Sequence, residues 1–358
     1  MHHPSWLFIC ARHPDTTQHL GGGEVLSVCN LTALRQHADV EIFSLMNWEG
    51  FFERVLRFLF LSLDYTSSLY PWKVSRLKQI LRSRKFDGVF IDQSFYGRLA
   101  QEIKNDFPDL KVITQFHNVE SMAAITNLPV PIWLRKIISR VAFKNESLAV
   151  QFSDCCLFLT SEDLKDVSEL NGPPQRPQVL PLILPPTFLP GDKNQKTGFD
   201  VAPNDRPYLL FCGSYFLPNT QGISWFIEKV LPHIPYDLHI VGFGMEKFKG
   251  THPKVKNWGT VRELAPHYKN ALGVVAPIFI PGGMKTKTVE ALHYRKILFG
   301  TQYALLGIPN EICLPIQGAE GFIRAILQAD FSVTTPGLGK EFSFEHKKQV
   351  FERILGKV

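Results

Sequence analysis

The sequence is poor in the features that would assign it quickly. Six cysteines occur among 358 residues, with no CxxC pair, and Cys155 and Cys156 are adjacent. That usage excludes a disulfide framework or a zinc ribbon and suits small buried thiols in a reducing compartment. No long apolar run is present. The opening "MHHPSWLFICARH" holds only about six apolar residues in a row, too few for a signal peptide's core or a bilayer span. The expected location is therefore cytoplasmic. No GxGxxG fingerprint appears, and no Asp-x-Asp lies at a strand end where it would hold a divalent metal.

What is abundant is apolar and aromatic residues. At 45% hydrophobic content with 28 Phe, the chain can bury two ordinary cores, and no segment has the composition of disorder. Charge is unevenly placed. Residues 1–180 carry 19 basic and 19 acidic residues, whereas the remainder carries 20 and 14 and so accounts for the whole net charge of +6. A basic second half favours an anionic ligand, although a modest excess fits many functions. Nothing points to nucleic acid.

Short continuous apolar runs recur: "WLFICA", "VEIFS", "GVFID", "KVITQF" and "CCLFLT" in the first half, then "YLLFCG", "DLHIVG", "GVVAPI" and "ILFGT". Each precedes a turn and a helical pattern. Such runs predict parallel strands covered on both faces, hence an α/β chain with two doubly wound sheets. The connector "NGPPQRPQVLPLILPPTFLPGDKNQKTGFDVAPNDRP" holds nine of the 25 prolines, which blocks helix and suits a domain boundary. The expected domains are 1–188 and 189–341. A last helix over 342–358 either caps its own domain or crosses back to the first.

Ligands of open parallel sheets bind at the carboxyl ends of strands, so the loops there hold the candidates. Gly21, Gly22 and Gly23 precede a helix, either as an anion-binding turn or as a plain loop. "KVITQF" runs into His117, which can exchange a proton at neutral pH or simply pack at a loop. Gly213 and Ser214 follow one strand, and Gly242 and Gly244 another. The densest stretch is "PGGMKTKTVEAL" (281–292): Gly282 and Gly283 before a helix start, Lys285 and Lys287 beside it, Glu290 one turn on. Free amides and lysines suit a diphosphate, and a carboxylate suits ribose hydroxyls. The alternative is a surface helix with one Lys–Glu pair.

In order, "FCGSYFLPNTQGISWF", "IVGFG", "WGTVRELAPHYKNA" and "VVAPIFIPGGMKTKTVEAL" resemble the donor domain of the retaining family-4 group of GT-B glycosyltransferases. The first half, with "GGG" and "HNVE", resembles their acceptor domain. The resemblance is strong from Phe211 to Pro309. It implies two Rossmann-like domains facing a central cleft, a nucleotide-sugar donor, a glycan or lipid-linked glycan acceptor, no cofactor and no divalent metal. It implies that Glu290 binds the donor ribose, that Lys287 and Lys285 serve the phosphates, that Gly22 and Gly23 lie beneath the pyrophosphate, that Gly213, Ser214, Gly242 and Gly283 belong to the donor site, and that His117 lies near the sugar as the catalytic residue. The group is described by a front-face substitution in which the leaving phosphate helps take the acceptor proton. Gly282 stands where many relatives carry a second glutamate, and the basic residue usual after the Gly-Ser turn is missing. A GT-B epimerase, or a glycan-binding scaffold without turnover, remains the alternative.

The segment 48–85 combines an aromatic-rich stretch with six basic residues and no acid from Lys73 to Lys85. It reads either as a peripheral contact with the inner face of the cell membrane, in polysaccharide biosynthesis, or as an ordinary helix pair.

Overall fold

The apolar runs do form parallel strands. The structure, a computed structural model, describes residues 4–16, 21–46, 51–61, 63–128, 130–184 and 206–356. Residues up to 184 together with 341–356 make one unit, and residues 206–340 the other. The expected boundary between residues 188 and 189 lies outside the described residues.

The first unit contains β1 (Ser5–Cys10), α1 (Gly22–Leu34), β2 (Asp39–Ser44), α2 (Phe51–Leu61), α3 (Pro71–Ser83), β3 (Gly88–Ile91), α4 (Gly97–Asp106), β4 (Lys111–Gln115), α5 (Glu120–Asn127), α6 (Ile132–Phe152), β5 (Cys155–Phe158), α7 (Ser161–Asn171) and β6 (Gln178–Val179). The second contains β7 (Tyr208–Cys212), α8 (Leu217–Lys229), β8 (Asp237–Val241), β9 (Val255–Gly259), α9 (Ala265–Asn270), β10 (Gly273–Ala276), α10 (Thr286–His293), β11 (Ile297–Gly300) and α11 (Gly318–Gln328). The chain closes with α12 (Phe344–Leu355), capped by the Ser343 hydroxyl accepting from the His346 N–H. Val350 and Phe351 of α12 are buried in the first unit's core with Phe90 and Cys29. Burying a phenylalanine of this kind contributes about 1.5–3 kcal/mol.

Every strand pair among the described residues is parallel. The first sheet has the order β2-β1-β3-β4-β5-β6 and the second β11-β10-β7-β8-β9. In the first, the chain leaves β1 toward β2 and then returns to place β3 on the other side. In the second, it runs outward through β8 and β9 and then returns to place β10 beside β7. Each reversal opens a crevice at the strands' carboxyl ends, β1/β3 in one unit and β7/β10 in the other. Every segment singled out above as a ligand loop follows one of these four strands or an immediate neighbour.

Candidate functional site

In the first unit the site grows from β1, β3 and β4. Gly22 and Gly23 form the first turn of α1, with Gly21 as its N-cap. A Cβ on Gly23 would lie 3.6 Å from His117 Nδ1, so this glycine lets the helix start lie against the imidazole. His117 follows β4 and is buried. Its Nε2 lies 3.8 Å from Oδ2 of Asp92, which follows β3 and is 1% exposed. That separation is longer than a hydrogen bond, so the pair is coupled mainly by charge. Asp92 also accepts hydrogen bonds from the Ser27 hydroxyl and from Asn30 Nδ2 at 3.0 Å, both on α1. Burial alone would pull the His117 pKa down, but Asp92, with Glu120 behind it, outweighs this and holds it above the ordinary value. The carboxylate therefore favours the protonated form of a buried imidazole. A cavity of about 260 Å³ opens beside this network, lined by Arg12, Gly23, Glu24, Ser27 and Gln93 among others. Glu24, an awkward charge beside a phosphate, is partly countered by Arg12 at 3.6 Å.

In the second unit the site grows from β7 and the loop after β10. Lys287 Nζ donates to Asn219 Oδ1 at 2.6 Å and lies 4.2 Å from the centre of the Phe211 ring. Asn219 Nδ2 in turn donates to the Ser214 carbonyl at 2.9 Å. A Cβ on Gly213 would approach Asn219 Nδ2 to 2.8 Å and Lys287 Nζ to 2.9 Å, so the strand end is bare because the amine and amide lie over it. Gly242 has φ +148, and its Cβ would strike the Gly213 carbonyl at 2.0 Å. Only glycine fits there, and it brings the β8 turn onto the β7 turn. Burial pushes Lys287 down to about 7, with neighbouring Lys285 acting in the same direction and Cys212 and Glu290 against it. One turn along α10, Glu290 accepts from the Tyr268 hydroxyl at 2.6 Å. Burial raises the Glu290 pKa, while the Tyr268 hydrogen bond and Lys287 oppose that rise.

The two lysines are divided by the fold. Lys287 lies over Gly213, whereas the Lys285 amine donates to the carbonyls of Gly282 and Gly283 and braces the loop before α10. Ser214 is exposed, and Gly283 is buried. Reasoning from the sequence missed Asp92, Asn219 and Tyr268. Asp92 ended an apolar run and looked like its polar boundary. Asn219 stood in the quoted "LPN", and Tyr268 in "APHYKNA", but neither carries a spacing that points 68 or 22 residues ahead to its partner.

Residues 206–329 match the family model described as Glycosyl transferases group 1, a span that contains all of the second site. Solved structures align over almost the whole chain. Sucrose-phosphate synthase from Thermosynechococcus elongatus is 14% identical with a TM-score of 0.69, covering 98% of this chain and 96% of that one. The fold is GT-B. Anabaena HepE in complex with UDP-glucose aligns to this GT-B chain at 14% identity and a TM-score of 0.64, covering 99% and 100%. A glycosyltransferase from Rickettsia africae aligns to it at 13% and 0.64, covering 99% of both chains. No curated protein sequence matches the chain. The GT-B assignment agrees with the architecture expected from the run of motifs between Phe211 and Pro309.

Proposed function

We propose that the protein is a retaining glycosyltransferase that moves a sugar from a nucleoside-diphosphate sugar to a glycan or lipid-linked glycan. The observation that carries this reading is the α10 pair: a buried cation over a bare glycine turn and, one helical turn away, a buried carboxylate held by a phenol. The positive end of the α10 dipole and Lys287 would hold the diphosphate, and Glu290 would take the ribose hydroxyls. Anabaena HepE bound to UDP-glucose and a UDP complex of S. aureus MnaA share the fold, which supports a nucleotide-sugar ligand for this chain.

In the transfer, the bond from the sugar's anomeric carbon to the diphosphate oxygen breaks. The acceptor hydroxyl oxygen bonds to that carbon on the same face, and its proton passes to the departing phosphate oxygen. The protein's contribution is positioning and charge stabilisation on the leaving diphosphate. His117, whose protonated form Asp92 favours, would donate a hydrogen bond to the sugar being transferred. The retaining course and independence of metal rest on the resemblance, with Lys287 and the helix start meeting the charge that a divalent ion would otherwise meet. Transfer that is lost in EDTA and restored by manganese would refute that part.

The test of the site begins with a melting screen against UDP, GDP and dTDP. A ligand at 100 times its Kd stabilises by about 2.7 kcal/mol. Calorimetry then compares wild type with Glu290→Gln, which keeps the size but removes the charge. A hydrogen bond to an ionised partner is worth about 1.5–3 kcal/mol, so the variant should weaken binding of both the nucleoside and its diphosphate by about one to two decades. Unchanged nucleoside affinity would remove the ribose role from Glu290 and leave its bond to Tyr268 as a packing contact of a buried helix.

A further inference from the structure

The basic stretch from Lys73 to Lys85 reads in the sequence as either a membrane contact or an ordinary helix pair, and four of its six cations have partners within the fold. Lys78 pairs with Glu102 at 2.8 Å and Asp106 at 3.2 Å, Arg82 with Asp106 at 2.8 Å, and Arg84 with Glu41 at 2.6 Å. Lys73 donates to the Leu45 carbonyl. A different helix carries the apolar and basic surface. Residues 121–145 contain four basic residues and no acid. On α6, Trp133 is 56% exposed, Ile132 57%, Ile137 43% and Phe143 40%. Lys136, Arg140 and Lys144 are exposed among them. At about 100° per residue these seven side chains fall within about 140° of arc, a single face of the helix. Buried Val141, Ala142, Asn145 and Ala149 point the other way, into the unit.

The face is held firmly. Arg135 donates to the carbonyls of Val130 at 2.8 Å and Ile125 at 3.2 Å, fixing the corner where the chain enters α6. Ser139 donates to the Ser121 carbonyl at 2.7 Å and ties α5 alongside, and the exposed Met122 and Ile125 of α5 widen the apolar area. Lys144 is paired with Asp64, but among the described residues no ion pair engages Lys136 or Arg140.

We propose that this face of α6 docks the protein onto an anionic lipid surface. Exposed apolar and aromatic side chains interleaved with cations, on a helix that is not a membrane span, form an interfacial helix: the apolar groups enter the headgroup boundary and the cations meet anionic lipid. A second copy of the chain is disfavoured, because a two-fold contact would bring Lys136 and Arg140 against themselves. α5 begins at Glu120, three residues after His117, so docking holds the histidine's loop near the lipid. The surface itself stands without the sugar-transfer reading; only its use in presenting a lipid-linked acceptor rests on it.

The test is flotation of the full chain with vesicles of phosphatidylcholine alone and of an equal mixture with phosphatidylglycerol. Wild type should bind the mixed vesicles and not the neutral ones. Trp133→Ser with Ile137→Ser, and separately Lys136→Glu with Arg140→Glu, should each lower binding by about tenfold or more. All four positions are exposed, so the melting temperature and its shift with the chosen nucleoside diphosphate should stay at wild-type values. Phe58→Ser with Leu59→Ser on α2, also exposed, should bind within about twofold of wild type. Absence of wild-type binding, α6 variants that bind normally, or loss confined to the α2 variant overturns the proposal. So does a concentration-dependent dimer in sedimentation velocity that Trp133→Ser abolishes, since a second copy would then cover the face.

Discussion

The two units solve one topological problem with different chemistry. Both are doubly wound parallel sheets whose chain reverses beside the first strand, and both place their polar residues in the crevice that the reversal opens. In the first unit the crevice holds an acid–base pair: Asp92, buried beneath Ser27 and Asn30, beside His117. In the second it holds Lys287 over a bare glycine turn and Glu290 against a phenol. Electrostatics follows the same division. Burial drives both the histidine and the lysine toward neutrality, but only the histidine has a buried carboxylate close enough to reverse that effect. The lysine's hydrogen-bond partner is a neutral amide, so nothing there cancels the effect of burial. The fold supplies a location, and the local partner sets the direction in which the group's charge is biased.

This contrast predicts separable failures. The largest is in the first unit. His117→Ala should lower kcat by about 100-fold or more, the range for removing one preorganised hydrogen-bond donor from a transition state. Affinity for the nucleoside diphosphate should change by less than about twofold. Steady-state kinetics with parallel calorimetry reads both numbers. A large loss of nucleotide affinity with kcat preserved would mean that the two units do not divide binding and chemistry in this way.

The second effect is smaller and falls on binding. Lys287→Ala removes a charged donor worth about 1.5–3 kcal/mol, so the diphosphate should bind about one to two decades more weakly. The unphosphorylated nucleoside should bind nearly as before. Equal losses for both ligands would place the amine away from the phosphates. Lys285→Ala is the useful companion. Its amine braces the Gly282–Gly283 turn, so its removal should act through loop geometry and weaken both ligands alike.

The same comparison shows what was legible in the residues. Strands buried on both faces announce themselves as continuous apolar runs, and Phe8, Phe90 and Phe211 are wholly buried in three of them. β9, "VKNWG", and the two-residue β6 lie at sheet edges, where one flank faces water and the run breaks into polar residues. Neither appears among the runs. In the site, Gly213, Lys287, Glu290 and His117 were visible because strand-end loops are where such sheets bind. Asp92, Asn219 and Tyr268 were not, because each matters through a partner that only tertiary folding supplies. The stretch from Lys73 to Lys85 shows the same limit. The ion pairs of Lys78, Arg82 and Arg84 were not legible because Glu41, Glu102 and Asp106 come from other elements.

The smallest effect is one of pH, and its sign follows from burial. Lys287 in the free protein is pushed down to about 7. A bound diphosphate favours the ammonium form and raises that value, so binding takes up a proton wherever the free amine is neutral. Affinity should therefore fall as pH rises above about 7, by at most about one decade per unit. Between about pH 7.5 and 8.5 the terminal phosphate of a nucleoside diphosphate is almost fully ionised and the base keeps its N–H, so the ligand's own titration adds little slope. Three of the groups beside the amine do not titrate in that window. Cys212 is pushed up to about 12, the Tyr268 hydroxyl is held far above its usual range, and Asn219 does not titrate. The unliganded protein should show the linked trend in stability. The unfolded chain keeps the Lys287 proton to higher pH than the folded one, so this group's contribution to stability grows as pH rises from about 7 toward the unfolded value. Calorimetry across the window should give a sloping curve for the diphosphate and a flat one for the nucleoside. Lys287→Arg, charged throughout, should bind less well because the planar guanidinium does not fit over Gly213, yet its curve should be flat. A slope that survives in Lys287→Arg would assign the proton to another group and leave Lys287 charged in the free protein.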